Sequence, residues 1–484
     1  MRPTKRTKIV CTIGPASNQP DILGQMVAAG MNVARLNLSH GTHEEHAAMI
    51  KSLRQVGEET EEPLVVLMDL QGPKIRTGLL PKEGVELKEK GEVVFTTEPN
   101  AQLPRITLTY DGLHNDVKPG DRLLLDDGLF DVRVTKVQGR DIFCEVVHGG
   151  VLFSHKGINL PTATLSIPAI TDKDKADVAF GVKQGVDWVA LSFVRNAKEI
   201  FDLRFLIQEH ERELGSERVH EPPIRIIAKI EKHEAVRHID EIIDAADGIM
   251  VARGDLGIEM PAEEVPLIQK RIIDKCLAAA KPVIVATQML DSMTRNPRPT
   301  RAEVSDVANA VIDHTDAVML SGETANGKFP VETVETMARI IRETEKSRYD
   351  NVEPPSHLVF ETKGDTEKAV SQVANILARG TGAKLILVAS LSGETGRVVS
   401  RHRPELPILV ATDSARVRFQ MNLSWGIVPF ILPRCRTVEE LVERSVGYVK
   451  TSKLARVGDR IIVVAGEPVG VTGGVNLVEI RDIK

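Results

Sequence analysis

The sequence predicts an α/β fold: a TIM-type (β/α)8 barrel interrupted by an inserted all-β lid domain and followed by a C-terminal α/β domain. Three observations predict it. Eight short apolar runs alternate with amphipathic segments, as buried parallel strands and their covering helices do. A long stretch of strand-like alternation separates the third run from the fourth. A linker-like segment, DNVEPPSH after Tyr349, precedes a second series of strand and helix patterns. A chain of 484 residues suits this division, because domains run to roughly 100–200 residues each.

The barrel begins over residues 1–71 with KIVCTI from Lys8, NVARL from Asn32 and LVVLM from Leu64. Thr42 with Glu45 fits a capping box, in which side chains satisfy free backbone N–H groups at a helix start, for about 1 kcal/mol. Residues 72–169 carry alternation such as DVRVTKV and the turn signal Asp126-Asp127-Gly128, which read as an inserted β-barrel. It leaves the barrel after a strand, where barrel loops build active sites, and so is expected to act as a lid over the mouth. Over 170–345 the runs resume: WVALSF from Trp188, IRIIAKI from Ile224, GIMVA from Gly248, PVIVAT from Pro282 and AVML from Ala317, with a second capping box at Thr300 and Glu303. Residues 346–484 contain KAVSQVANILARG, KLILVAS, PILVAT, IVPFIL and RIIVVAG, the pattern of a small open α/β sheet.

The formal net charge of −6 argues against a general attraction to nucleic acid, so a phosphate-bearing ligand has to be met by local basic groups. Cys11, Cys144, Cys276 and Cys435 are scattered and match no disulfide or metal spacing, which fits reduced thiols. The longest apolar run near the N-terminus, Ile9 to Cys11, is too short for a signal sequence, and no run is long enough to span a membrane. A cytoplasmic protein is expected.

Chemistry concentrates at strand ends. Side chains alternate along a strand, so Lys229 and Glu231 of IIAKIE point the same way, toward the mouth. The next run ends MVARGD, which puts Asp255 at the equivalent position on the neighbouring strand. Glu231 and Asp255 could then share one hard cation, which takes one or two protein carboxylates and fills its shell with water and substrate oxygens. An isolated K-x-E is more often a plain ion pair, but a lysine in an apolar strand needs anionic company beyond one carboxylate. Arg35 of ARLNLSHGTHEEH serves equally as a bidentate phosphate contact or as a partner for Asp69, with Asn37, Ser39 and His40 nearby. GETANGK, from Gly322, nearly matches a phosphate loop, but Phe329 stands where the metal-binding hydroxyl belongs, and a turn before a helix started by Pro330 fits better.

TKIVCTIGPAS, GMNVARLNLSHGTHEEH, DLQGPKIRTG, IIAKIEKHEAV, MVARGDLGIEMP, ATQMLDSM and MLSGETANGKFP occur in that order. Together they closely resemble the pyruvate kinase family, essentially end to end. The resemblance implies a phosphotransferase acting on phosphoenolpyruvate and ADP to give pyruvate and ATP, usually a homotetramer. It implies Mg²⁺ or Mn²⁺ on Glu231 and Asp255, Lys229 and Arg35 stabilising the transferring phosphoryl group, and Gly254, Asp255 and Thr287 holding substrate, with Thr287 on the proton route. Asn37, His40, Arg76 and Lys156 match nucleotide-side positions.

Many members need K⁺, bound by residues matching Asn37, Ser39, Asp69 and the carbonyl of Leu70, and carry Glu where Lys74 stands here. The lysine predicts that K⁺ is not required. Ser390, Leu391, Ser392, Gly393, Glu394 and Thr395, with Val471 to Asn476, match loops of a sugar-phosphate effector site. Glu394 is a poor neighbour for a phosphate, so a different sugar phosphate or a nucleotide is the expected effector. Asn326 replaces a common lysine. A metal-dependent pyruvate aldolase would not need Lys229, Arg35 and a lid together, and a noncatalytic sugar-phosphate sensor would tolerate loss of the barrel set that this chain retains.

Overall fold

The computed structural model describes residues 5–215, 221–350, 365–467 and 474–484. Eight parallel strands close into a barrel: Lys8–Thr12, Val33–Asn37, Val65–Asp69, Trp188–Leu191, Arg225–Ile230, Gly248–Ala252, Val283–Ala286 and Ala317–Leu320. Each coincides with a run read from the sequence, the second and third extending one residue beyond it, and all but the second and fifth are buried at every position. Burial on both faces explains why these strands read as unbroken apolar runs. The third and fourth strands pair directly, Leu67 opposite Trp188, although about a hundred residues of insertion separate them. Both expected capping boxes form, and a third, at Thr171 and Asp174, starts the helix that resumes the barrel.

The insertion is a six-stranded sheet and a two-stranded ribbon, with one helical turn at Leu113–Asp116. The two edges of the six-stranded sheet, Arg105–Thr107 and Ile158–Asn159, are joined by the segment that enters the lid, where Thr77 pairs with Leu108 and Arg76 with Gly157, so the sheet curls round on itself. It has its own core around Phe95, Leu123, Val132 and Ile142. Its Asp126-Asp127-Gly128 turn is left-handed at all three residues, and a Cβ on Gly128 would lie 3.9 Å from Ile258 Cγ2 of the barrel. The lid tip therefore rests beside the mouth. At its return to the barrel, Arg195 donates to the carbonyls of Leu165 and Ile167 and pairs with Glu199, gripping the exit strand of chain.

The C-terminal unit is a five-stranded sheet, parallel except for an antiparallel edge strand, Val475–Asp482. That edge was not evident in the sequence, because apolar and polar residues mix along both its faces and only Val475 is buried. Most of the expected linker, and Val471–Gly473 of the second effector loop, lie outside the described residues. The unit docks on the barrel's base: Lys8 Nζ donates to Ile427 O (2.7 Å) and Asn422 Oδ1 (3.2 Å), and Arg403 pairs with Asp316 at 2.8 Å. Cys11, Cys144, Cys276 and Cys435 are all free thiols. Among the described residues no helix is long and apolar enough to cross a membrane.

Candidate active site

The barrel mouth gathers a buried network of charge. Lys229, near the end of the fifth strand, directs its ammonium at Ser192 Oγ (2.7 Å), Glu231 Oε1 (3.0 Å) and Asp69 Oδ1 (3.2 Å). Arg35, on the second strand, pairs with the other Asp69 oxygen at 2.7 Å and donates to Thr12 Oγ1 at 2.9 Å. Of the two roles open to Arg35, the ion pair with Asp69 is thus present, and the guanidinium keeps N–H groups beyond those two contacts. Burial opposes ionisation of Asp69, yet Lys229 and Arg35 hold its carboxyl below the usual range. Burial likewise pulls Lys229 toward neutrality, but Asp69 and Glu231 outweigh it and keep the ammonium more firmly protonated than in water.

Glu231 is in the opposite condition. Burial pushes its carboxyl up, and Asp255 adds repulsion, against support from Lys229 and from the Phe193 amide, which donates to Oε2 at 2.6 Å. Asp255 is not on the sixth strand, as the pattern MVARGD suggested. That strand ends at Ala252, and Asp255 sits in the first turn of the helix Arg253–Glu259. The strand-to-helix change at Arg253 turns the carboxylate toward the cleft, which is lined by Lys74, Asp127, Phe193, Lys232 and Asp255. Among the described residues the Asp255 carboxylate has no hydrogen-bond or ion-pair partner. No group of three or more His, Cys, Asp or Glu capable of holding a metal occurs among the described residues. Two carboxylates, one raised in proton affinity and one unpartnered, instead fit a hard cation whose remaining ligands are water and substrate oxygens.

Thr287 follows the seventh strand with a left-handed φ of 73°. The strained conformation is held from three sides: Gly254 N donates to Thr287 Oγ1 (2.8 Å), that hydroxyl donates to Ala286 O (2.6 Å), and Arg253 donates to Thr287 O (2.9 Å). Asp306 fixes Arg253 through both its oxygens at 2.7 Å. Gly254 and Thr287 are therefore one unit. A Cβ on Gly254 would lie 3.3 Å from the threonine hydroxyl.

The remaining sequence-based candidates are more dispersed. Asn37 Oδ1 accepts the Ser39 amide at 3.1 Å, and Leu70 O accepts the Ser192 hydroxyl at 2.7 Å. His40 is exposed, its carbonyl meeting His46 Nε2 at 2.8 Å. Arg76 and Lys156 belong to the lid, where Lys156 pairs with Asp126 of the tip at 2.9 Å and Arg76 reaches His155 O at 3.4 Å. Lys74 is exposed on the cleft wall and forms no ion pair among the described residues. Ser390–Thr395 lies in the C-terminal unit beside a cavity of about 560 Å³. There Glu394 is engaged by buried Arg397 at 2.6 Å, and Arg225, at the start of the fifth barrel strand, donates to Ser392 O at 3.0 Å. Ser192 and Arg253 were not picked out from the sequence. SFV reads as the tail of an apolar strand, and neither residue shows its importance until partners across the barrel are in place.

Comparison with known proteins shows similarity along nearly the whole chain. The family model for the pyruvate kinase barrel domain matches residues 4–334, and that for the pyruvate kinase alpha/beta domain matches 368–481. A pyruvate kinase of Geobacillus stearothermophilus is 45% identical over 99% of this chain and 80% of its own length. One from Clostridium acetobutylicum is 41% identical over 99% of this chain and 100% of its own. A crystal structure of a pyruvate kinase from Cryptosporidium parvum superposes with a TM-score of 0.91 at 34% identity, covering 99% of this chain and 97% of that one. With a cation-ready carboxylate pair, a buried charged lysine and an inserted lid at one barrel mouth, and with relatives of this similarity over nearly the full length, the chain belongs to the pyruvate kinase family.

Proposed function

We propose that the chain transfers the phosphoryl group of phosphoenolpyruvate to ADP, giving pyruvate and ATP. The observation that carries this reading is the Lys229 ammonium, buried and kept charged at the mouth beside the unpartnered Asp255. Phosphoryl transfer asks mainly for positioning and for charge that meets the equatorial oxygens, so convergent cations serve it better than a covalent nucleophile. Lys229 and Arg35 supply that charge. The P–O bond of the enol ester breaks as a new one forms to the terminal oxygen of ADP, and the electron pair remains on enolpyruvate, whose C3 then takes a proton. The Thr287 hydroxyl, held against Gly254, relays that proton through water.

Glu231 and Asp255 would hold Mg²⁺ or Mn²⁺, which when bound supplies charge for the phosphoryl and carboxylate oxygens of the substrate. Gly254, Asp255 and Thr287 complete the substrate pocket. Asn37, His40, Arg76 and Lys156 serve the nucleotide side, the last two arriving with the lid. K⁺ is not required: of the four positions that would bind it, Asn37, Asp69 and Leu70 already meet donors of the chain itself, and Lys74 adds a positive charge to the cleft wall. The Ser390–Thr395 loop takes a sugar-phosphate or nucleotide effector, and the enzyme works as a cytoplasmic homotetramer.

A coupled assay of pyruvate formation from phosphoenolpyruvate and ADP with Mg²⁺ tests the reading, comparing the native chain with Lys229→Met. A fall of about 10³-fold or more is expected. Substantial activity in the variant refutes the role of Lys229, and no product from the native chain, with or without effectors, overturns the assignment.

A further inference from the structure

All three N–H bonds of the Lys229 ammonium have acceptors: Ser192 Oγ at 2.7 Å, Glu231 Oε1 at 3.0 Å and Asp69 Oδ1 at 3.2 Å. An ammonium so occupied has no donor free for a phosphoryl oxygen, so one contact must be released when substrate arrives. Two of the acceptors are buried carboxylates, and withdrawing the cation from either leaves a buried charge less compensated. Ser192 is neutral. Its own proton goes to Leu70 O at 2.7 Å, so the hydroxyl keeps a partner after the lysine turns away.

We propose that Ser192 is a positioning residue that holds the third N–H of Lys229 in reserve and releases it to the transferring phosphoryl group. The inference rests on the role given to Lys229 above. Ser192 immediately follows the fourth strand, whose last residue, Leu191, pairs with Ala228, so the serine stands in register with Lys229 on the adjoining strand. It is 2% exposed. Its position is also fixed from the lid side. Gly72, at the entrance to the lid, has a φ of 66°, and a Cβ there would lie 3.0 Å from the Ser192 Cβ. The Gly72 amide is anchored in turn to Asp174 at 3.1 Å. The backbone that leads into the lid thus packs on the residue that aims the lysine.

The test uses the full chain carrying Ser192→Ala or Ser192→Thr, with steady-state kinetics in phosphoenolpyruvate at saturating ADP and Mg²⁺ and with thermal unfolding as a control. Ser192→Ala is expected to lower kcat about 100-fold, the cost of a misplaced catalytic group, while KM for phosphoenolpyruvate moves less than about 3-fold. Ser192→Thr, which restores the hydroxyl, returns kcat to within about 10-fold of the native value. A kcat for Ser192→Ala within about 3-fold of native, a loss carried mainly by KM, or equal losses in the alanine and threonine variants overturns the proposal. If the alanine variant does not fold, Ser192→Cys, with a sulfur that accepts weakly, carries the same expectation and the same refutation. An active Lys229→Met would defeat the functional reading itself, whereas an inactive Lys229→Met with a fully active Ser192→Ala would defeat this inference alone.

Discussion

At the base of the barrel Asp316 accepts the Trp425 amide at 2.9 Å, the Arg403 guanidinium at 2.8 Å and the Val283 amide at 3.2 Å. At the mouth Glu231 is driven toward protonation by burial and by Asp255, and Asp255 itself has no partner within the described chain. Both ends bury acidic groups among charged neighbours. At the base the donors match the carboxylate, and what they hold together is the docking of the C-terminal sheet. At the mouth the match is incomplete, and the deficit is positive charge, which a metal would bring. Buried polar groups are normally satisfied, so a local shortfall of one sign marks where a ligand of that sign completes the structure.

Substitution of one carboxylate at each end should separate the two roles. Glu231→Gln should lower kcat about 10³-fold and raise the Mg²⁺ concentration needed for half-maximal rate, while unfolding free energy shifts by less than about 1 kcal/mol, since relief of a strained buried charge offsets the lost contact with Lys229. Calorimetry and a metal titration of the rate check both halves. A large loss of stability with the metal dependence unchanged would make Glu231 a structural residue and erase the contrast. Asp316→Asn should do the reverse. It leaves buried Arg403 without its carboxylate and should lower stability by about 3 kcal/mol, read by denaturant unfolding, with activity per folded molecule close to native.

The same contrast explains what could be read in the sequence. The barrel was legible because strands buried on both faces leave an apolar signature that does not depend on partners. The lid's strand pattern was legible from its alternation and turns, but not the segment that joins its two edges: Arg76 and Thr77 bridge to Gly157 and Leu108, pairings set by register rather than by composition. Lys229 and Glu231 were placed together by strand alternation alone. Asp255 was assigned to the right rim but the wrong element, because the switch from strand to helix at Arg253 follows from how the mouth is packed. Ser192 was missed: a lone serine after WVAL has no local signature, and its role depends on Lys229 from the adjoining strand. Glu394 was judged from its charge alone, and the structure adds that Arg397 already engages it.

A gentler probe of the base is pH. Lys8 is buried and its pKa is pulled down to about 8, by burial first, from an ordinary lysine value of 10.5. Between those values the unfolded chain binds the proton that the folded chain has released, so stability rises with pH across that window, and the cost of the buried ammonium is full only below it. Against Lys8→Met, which removes the titration, the native chain should gain about 2 kcal/mol between pH 8 and pH 10. A difference between the two proteins that stays flat over this range would mean that the contacts with Ile427 and Asn422 fully compensate the charge, and that the base is as well balanced at Lys8 as at Asp316.

The smallest effect is expected where the mouth has already supplied its own cation. If Lys74 takes the place of a monovalent ion, replacing K⁺ by a large organic cation at constant ionic strength should change kcat by less than about 2-fold, because no coordination shell is being emptied. The lysine does not need to touch Asp69 for this. Asp69 is already flanked by Arg35 and Lys229, and an exposed ammonium on the cleft wall contributes through the field in a narrow site rather than through a bond. Lys74→Glu reverses the charge at that wall and should make the rate respond to added K⁺, with activity low in its absence and partly restored as it is titrated in. A native enzyme that stalls without K⁺ would show that the internal donors at Asn37, Asp69 and Leu70 do not complete the site, and that its deficit of positive charge extends beyond the divalent ion.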